Sequence, residues 1–202
     1  MRHIVFDVSE SPQIWSVGHS NHSIEDLLHI LEGVEIGCLV DVRSQPYSKY
    51  TPHFNQAPLT TSLTLAGISY EFMGDSLGGR PPEASMYDED GHALYSEMAK
   101  SERLRSGIEK LTALTLKQRT AMMCSEESPV DCHRRLLIAR LLGEDIEVVH
   151  LRADGSSISE RDLADIVDPP APPALFALEE VKPWRSIRPV LRNTAPGASS
   201  EH

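Results

Sequence analysis

The stretch SIEDLLHILEGVEIGCLVDVR, residues 23–43, contains a helix pattern followed directly by a strand pattern. Ser23 is a favourable helix cap, acidic residues follow it within the first turn, and Gly33 ends the helical periodicity. Residues 36–42 then form an apolar run that ends in charge, which is typical of a strand buried on both faces. The stretch therefore predicts one helix followed by one strand of a parallel sheet.

The same alternation of strand and helix patterns continues along the chain. The five predicted strands cover residues 13–18, 36–42, 68–73, 119–124 and 146–151. Between the third and fourth strands we predict a loop over 74–92 and a broken or divided helix over 93–117. Ser128 and Pro129 predict the start of a helix that ends at Gly143. This order predicts an α/β fold with a mainly parallel sheet of about five strands, helices on both faces and Rossmann-like layering.

Proline usage predicts two parts of the chain. Seven of the 14 prolines lie in residues 169–202, which carry a net charge of +1 and leave −12 on residues 1–168. Proline interrupts helices and central strands, so we predict a single α/β domain over 1–168 and a proline-rich tail over 169–202. Trp184 and Phe176 indicate that part of the tail docks on the domain or on a second subunit of a homodimer. We expect the end of the tail to be disordered.

Composition limits the classes of partner. The 202 residues carry a formal net charge of −11, which disfavours a general nucleic-acid binder because phosphate contacts need surplus Lys and Arg. The chain contains no apolar run of the roughly 20 residues that cross a membrane, and residues 1–10 do not resemble a signal peptide. We therefore expect a cytoplasmic protein with no membrane partner. Three cysteines fit reduced thiols better than a disulfide framework, with Cys38 in the core.

Polar residues follow the predicted strands, and in parallel sheets ligands bind at the carboxyl ends of strands. We therefore expect these residues to converge on one pocket for a small anionic ligand. The candidate catalytic residues are Cys124, Cys132, His19, His133, Asp41 and Glu126. The candidate substrate-binding residues are Arg43, Ser20, Tyr47, Ser48, Gly78, Gly79, Arg80 and Arg134.

The two cysteines of this set flank the turn between the fourth strand and the following helix. A helix N-terminus lowers the pKa of a thiol and offers N–H groups to an anion, so a reactive thiol, an anion cradle or a redox pair is predicted. The alternative is that Cys132 is a small buried helix residue and Arg134 a surface charge. We predict no cofactor, but a metal held by Cys124, Cys132 and His133 or His19 is an alternative.

The remaining candidates also have two interpretations each. His19 is a candidate acid or base that Asp41 orients, or else a residue that caps the following helix. Asp41 and Arg43 lie two residues apart, on the same side of a strand, so an internal structural pair is the alternative to a catalytic use. The loop with Tyr47 and Ser48 either grips a phosphate or base, or is a solvated loop. Paired glycines before Arg80 favour close approach of an anion, although this signal is weak.

Together these motifs resemble the bacterial domain-of-unknown-function 488 family. The residues that carry the resemblance are Val17-Gly18-His19-Ser20, Val40-Asp41-Val42-Arg43, Pro46, Ser48, Phe54, Gly67-Ile68-Ser69-Tyr70, Leu77-Gly78-Gly79, Met123-Cys124-Ser125-Glu126, Pro129 and Cys132-His133-Arg134. They occur in order, at compatible spacing, across about residues 14–152. The resemblance implies an α/β fold and favours a functional pocket at the polar strand ends, but it implies no settled activity.

We therefore expect an enzyme that acts on a small anionic substrate, nucleotide-like or nucleobase-like, by thiol or histidine acid–base chemistry. A ligand-binding or regulatory module without turnover is the first alternative. A nucleic-acid-processing protein with a local basic groove is the second alternative, which the net charge disfavours.

Overall fold

The computed structural model describes residues 12–169 and 183–190, and within these ranges the chain forms six strands and seven α-helices. The strands are β1 (Gln13–Gly18), β2 (Cys38–Asp41), β3 (Ser69–Phe72), β4 (Thr120–Cys124), β5 (Glu147–Leu151) and β6 (Ser157–Ser159). The helices are α1 (Ile24–Gly33), α2 (Gln56–Leu65), α3 (Gly74–Leu77), α4 (Tyr95–Met98), α5 (Glu102–Thr115), α6 (Arg140–Leu142) and α7 (Glu160–Val167). Two 3-10 turns cover Pro52–Phe54 and Ala84–Met86, and a π-helical segment, Arg134–Ala139, leads into α6.

The six strands form one sheet in the order β3-β2-β4-β1-β5-β6. Every neighbouring pair is parallel except β5 and β6, which are antiparallel. The prediction of an α/β fold with a mainly parallel sheet is confirmed, whereas β6 was not predicted. Strands β1 and β2 flank β4, with Gly18 opposite Cys124 and Asp41 opposite Met123, so three polar strand ends meet at one edge of the sheet.

Apolar residues cover both faces of this sheet. Because neighbouring residues of a strand point to opposite faces, Ile14 and Trp15 belong to two separate apolar clusters. The cluster with Ile14 includes buried residues of α5 and of the π-helical segment, and the cluster with Trp15 includes buried residues of α1 and α2. Burial on two sides explains the continuous apolar runs in the sequence. Cys38 is fully buried in the first cluster, as expected.

Local hydrogen bonds fix α1 where the sequence predicts it. The Ser23 hydroxyl accepts from Asp26 N at 3.1 Å, and the Asp26 carboxylate accepts from Ser23 N at 3.2 Å, which completes a capping box. The predicted helical stretch over 93–117 is divided into α4 and α5, one of the two forms expected. The predicted loop over 74–92 contains α3 and a 3-10 turn.

The predicted helix after β4 begins later than its sequence pattern indicates. Ser128 does not cap it: its hydroxyl accepts from Val130 N at 3.3 Å within a turn, and a second turn closes from Cys132 N to the Pro129 carbonyl at 3.1 Å. Helical hydrogen bonding begins at the Cys132 carbonyl, which accepts from Leu136 N at 3.0 Å. Cys132 therefore precedes the helix instead of lying in its first turn, and the first part of the helix is π-helical.

Residues 183–190 pack against the domain. Trp184 Nε1 donates to the Leu136 carbonyl at 2.7 Å, and the indole ring faces the Arg140 guanidinium at 4.5 Å. The Ser186 hydroxyl accepts from the backbone N of Ala93 at 3.0 Å. Phe176 and the end of the tail lie outside the described residues, and the division into a domain and a tail stays a prediction. In the described ranges we find no helix with the length and apolar character that a membrane crossing requires.

Candidate functional site

A cavity of about 420 Å³ lies at the carboxyl ends of β1, β2 and β4. Ten of the fourteen predicted site residues line it: His19, Ser20, Arg43, Tyr47, Ser48, Gly79, Arg80, Cys124, Glu126 and His133. The other four, Asp41, Gly78, Cys132 and Arg134, are not among the lining residues. The first ten residues border the cavity and the other four do not, and the internal hydrogen bonds of each residue decide which of them remain available to a ligand.

His133 joins the two cysteines of the site. Its Nδ1 lies 3.7 Å from Cys124 Sγ and 3.8 Å from Cys132 Sγ. Its Nε2 lies 3.1 Å from the Val42 carbonyl, which can only accept a hydrogen bond, so Nε2 carries a proton in either charge state of the ring. Nδ1 is thereby free to exchange a proton with the sulfur atoms.

These contacts set the protonation of all three groups. A hydrogen bond from Cys132 holds the pKa of the Cys124 thiol well below its usual range; burial opposes this shift, and the charge of His133 favours it. Burial, together with hydrogen-bond donation to Cys124, raises the pKa of the Cys132 thiol. Burial, the largest single influence, lowers the pKa of His133, but the charge of Cys124 and the hydrogen bonds to Cys124 and the Val42 carbonyl together shift it upward. These directions favour transfer of the Cys124 proton to His133 and retention of the proton on Cys132.

The two thiols differ in their access to the cavity. Cys124 ends β4, lines the cavity and is 5% exposed, whereas Cys132 is 0% exposed and lies behind it. The two Sγ atoms and His133 Nδ1 all lie within 4.8 Å of one another. Two sulfurs and one imidazole nitrogen also form a donor set that suits a thiophilic divalent ion such as Zn²⁺.

Arg43 is held inside the protein by Asp41, the Phe54 carbonyl and His19. Its Nε and one terminal nitrogen donate to the two carboxylate oxygens of Asp41 at 2.9 and 2.6 Å, and the same terminal nitrogen donates to the Phe54 carbonyl at 2.8 Å. Tyr70 donates its hydroxyl proton to Asp41 at 2.8 Å. Because both side chains of the pair are buried, the geometry favours the internal structural pair over ligand binding by Arg43.

His19 has both ring nitrogens engaged. Nδ1 lies 2.8 Å from the Ser20 carbonyl and therefore donates to it, which leaves Nε2 to accept from Arg43 at 3.0 Å. Burial and the charge of Arg43 lower the pKa of His19 to about 4. A neutral imidazole whose lone pair accepts from a guanidinium is poorly placed to act as a base. The geometry therefore favours a role for His19 in positioning the Arg43 guanidinium.

Arg134 is fully buried, which contradicts the alternative of a surface charge. One terminal nitrogen donates to the carbonyls of Glu126 and Glu127 at 2.6 and 2.7 Å, and the other donates to the Ser16 hydroxyl at 3.1 Å. Arg134 therefore fixes the loop that follows Cys124. Gly18 packs against the same loop, since a Cβ atom there would lie 1.8 Å from the Glu126 carbonyl oxygen.

Two glycines and a serine shape the loop that lies beside the His133 ring. A Cβ atom on Gly79 would lie 2.8 Å from His133 Cγ, and one on Gly78 would lie 2.4 Å from Ser44 Oγ. The Ser44 hydroxyl also accepts from Arg80 N at 3.0 Å. The two glycines therefore let this loop approach the imidazole closely, while the Arg80 side chain remains exposed at the rim.

Sequence reasoning missed several lining residues. Ser44, Gln45 and Ser125 are neighbours of predicted residues, and their position at strand ends could have identified them. Ser186, Arg188 and Val190 come from the segment 183–190, where no sequence signal indicated a contribution to the cavity. Tyr95 and Asp131 also line the cavity, from α4 and the turn before Cys132.

Comparison with known proteins identifies a family. Neither the curated proteins nor the solved structures contained a match to the chain, so Rossmann-like layering stays a prediction. A family model described as domain of unknown function DUF488 matches residues 23–141. The match covers more than half of the chain and includes Asp41, Gly79, Cys124, Cys132 and His133. The chain therefore belongs to the domain-of-unknown-function 488 family.

Proposed function

We propose that this protein is an enzyme that acts on a small anionic substrate, with Cys124 as the nucleophile and His133 as its proton partner. One observation carries the proposal: Cys124 Sγ and His133 Nδ1 lie 3.7 Å apart, and both residues line the same cavity. A nucleophile beside a base that a third group orients is the usual arrangement of nucleophilic catalysis. The Val42 carbonyl supplies that third group.

The proton positions support a covalent step. Transfer of the Cys124 proton to His133 Nδ1 produces a thiolate and an imidazolium, and the Cys132 thiol donates to the thiolate. Sγ of Cys124 then bonds to an electrophilic carbon of the substrate. The bond to the leaving group breaks, and the leaving group takes the proton from His133 Nδ1, so charge and protons balance. A water molecule, deprotonated by the same nitrogen, releases the product and restores the thiol.

The cavity rim supports an anionic substrate. Arg80 and Arg188 line the cavity with exposed side chains, and the Arg188 guanidinium lies 3.8 Å from Asp131, the only ion pair it forms among the described residues. Guanidinium groups bind carboxylates and phosphates in a planar, bidentate manner. The ring of Tyr47, which is 74% exposed and also lines the cavity, offers a surface on which a nucleobase can stack.

Alkylation provides the first test. Thiolates react with both iodoacetate and iodoacetamide, but only iodoacetate is negatively charged. We expect both reagents to modify Cys124 selectively. The ratio of the iodoacetate rate to the iodoacetamide rate should be higher at Cys124 than for a free thiol in solution. Arg80→Ala should reduce this preference, and His133→Asn should slow both reagents. The matched control is Cys38→Ala, which removes a core thiol remote from the cavity. The proposal would be refuted if no cysteine were labelled in the folded protein and all three were labelled equally after complete unfolding.

Turnover provides the second test. The purified protein is incubated with a panel of nucleotides and small carboxylates, and products are identified by mass spectrometry. The proposal expects a product that Cys124→Ser abolishes and Cys38→Ala does not. Ligand binding without product would instead favour a regulatory module, and tight binding of DNA or RNA at low salt would favour nucleic-acid processing.

A further inference from the structure

We infer that Cys124 and Cys132 form a reversible disulfide, with Cys124 as the attacking thiol and Cys132 as the resolving thiol, and that hydroperoxides switch the site off in this way. The inference deepens the proposed function, on which it rests, because Cys124 is the reacting group in both. It assigns a role to Cys132, which the proposed catalytic step uses only as a hydrogen-bond donor.

The geometry places the two thiols in reach of each other. Both Sγ atoms contact His133 Nδ1, and all three atoms lie within 4.8 Å of one another. A disulfide requires the two sulfurs, which lie within 4.8 Å of each other, to close to about 2.05 Å. Cys132 lies in a turn before the π-helical segment, so its movement does not require a regular α-helix to unwind.

Unequal exposure assigns the two roles. An oxidant that enters the cavity meets Cys124, which lines it, whereas Cys132 is fully buried behind. His133 Nδ1 lies 3.7 Å from Cys124 Sγ and 3.8 Å from Cys132 Sγ, so either thiol can pass its proton to the ring, and access to the cavity decides which thiol meets the oxidant. A reactive, accessible thiol beside a resolving cysteine is typical of redox-sensitive sites.

The reaction balances with a hydroperoxide as the named oxidant. The Cys124 thiolate attacks the terminal peroxide oxygen, the O–O bond breaks, and the leaving oxygen takes the proton of His133 to form water or an alcohol. Cys124 is then a sulfenic acid. Cys132 Sγ attacks Cys124 Sγ, its proton joins the departing hydroxide, and a second water forms with the disulfide. Two thiols lose two electrons and the peroxide gains them.

Hydrogen peroxide and mass spectrometry test the inference on the 202-residue chain. The wild-type protein should lose the mass of two hydrogens and yield one disulfide-linked peptide pair that contains Cys124 and Cys132. Dithiothreitol should restore both thiols and the labelling of Cys124 by iodoacetate. Cys132→Ser should instead accumulate a sulfenic acid at Cys124, trapped by dimedone, and then sulfinic acid. Cys38→Ala is the matched control and should behave as the wild type does.

Three outcomes would overturn the inference. The first is oxidation of Cys124 to sulfinic acid in the wild type as readily as in Cys132→Ser. The second is a disulfide that includes Cys38. The third is a wild-type protein whose thiols resist peroxide until a chelator removes a bound divalent ion, which would assign the three donor atoms to a metal site. Iodoacetate labelling of the reduced protein, measured separately, tests the proposed function, so the two can fail independently.

Discussion

Asp41→Asn tests whether the buried pair of Asp41 and Arg43 supports the site from within. The carboxylate accepts four hydrogen bonds: from Arg43 N at 3.1 Å, Arg43 Nε at 2.9 Å, an Arg43 terminal nitrogen at 2.6 Å and the Tyr70 hydroxyl at 2.8 Å. Asparagine keeps the shape of the side chain but removes the charge and one acceptor oxygen. The buried guanidinium of Arg43 is then left without a counter-charge.

The expected loss of stability follows from the burial of Asp41 and Arg43. Removal of one partner from a buried ion pair costs about 3–5 kcal/mol, because the other charge stays desolvated. Glu97→Gln is the matched control, since Glu97 and Lys100 form an ion pair at 2.7 Å whose side chains are 45% and 71% exposed. Exposed pairs of this kind contribute only about 0.2–1 kcal/mol. The two substitutions are chemically equivalent and differ in burial.

Urea unfolding followed by circular dichroism measures both effects. With a slope of about 3 kcal/mol/M, the midpoint should fall by roughly 1–2 M for Asp41→Asn and by at most about 0.3 M for Glu97→Gln. The double variant Asp41→Asn/Arg43→Met should lose less stability than the sum of its single variants, because it removes both charges. A midpoint shift for Asp41→Asn no larger than that of the control would refute the structural role of the pair.

Two further predictions concern histidines. Gly79→Ala should slow alkylation of Cys124, because the new methyl group would lie 2.8 Å from His133 Cγ and displace the ring. The control Gly33→Ala places a methyl group with no atom within 4 Å and should leave the rate unchanged. Equal alkylation rates for the two variants would count against the role of His133. Burial lowers the pKa of His150 despite its hydrogen bond to Glu160. As the pH falls below about 6.5, His150 is therefore protonated in the unfolded chain before it is protonated in the folded protein. Stability should therefore decrease between about pH 7 and pH 5, and His150→Gln should flatten that decrease in urea unfolding; an unchanged slope would contradict it.

The sequence predicts those parts of the fold that local chemistry determines. Ser23 and Asp26 specify the start of α1 through contacts three residues apart, and apolar runs specify the strands that are buried on both faces. β6 escaped prediction because Ser157–Ser159 has three residues and a single apolar side chain. Its pairing with β5 is a tertiary contact that no local pattern indicates.

The site was predictable as a set of positions but not as a set of contacts. The rule that ligands bind at strand ends selects Cys124, and the predicted helix start that follows adds His133; both residues line the cavity. It could not reveal that the lone pair of His19 accepts from Arg43, or that Arg134 is buried against loop carbonyls. Those outcomes depend on the direction of each side chain, which residue type and spacing leave open.

The segment 183–190 supplies part of the cavity wall through Ser186, Arg188 and Val190, yet the family model ends at residue 141. Cys124 and His133 therefore lie inside the matched region, whereas this part of the cavity wall lies outside it. The exposed arginines of the cavity rim accordingly come from both parts of the chain, Arg80 from inside the matched region and Arg188 from outside it. Substitutions confined to 183–190 would change the shape and charge of the cavity while Cys124 and His133 keep their positions, so they should alter ligand preference more than thiol reactivity.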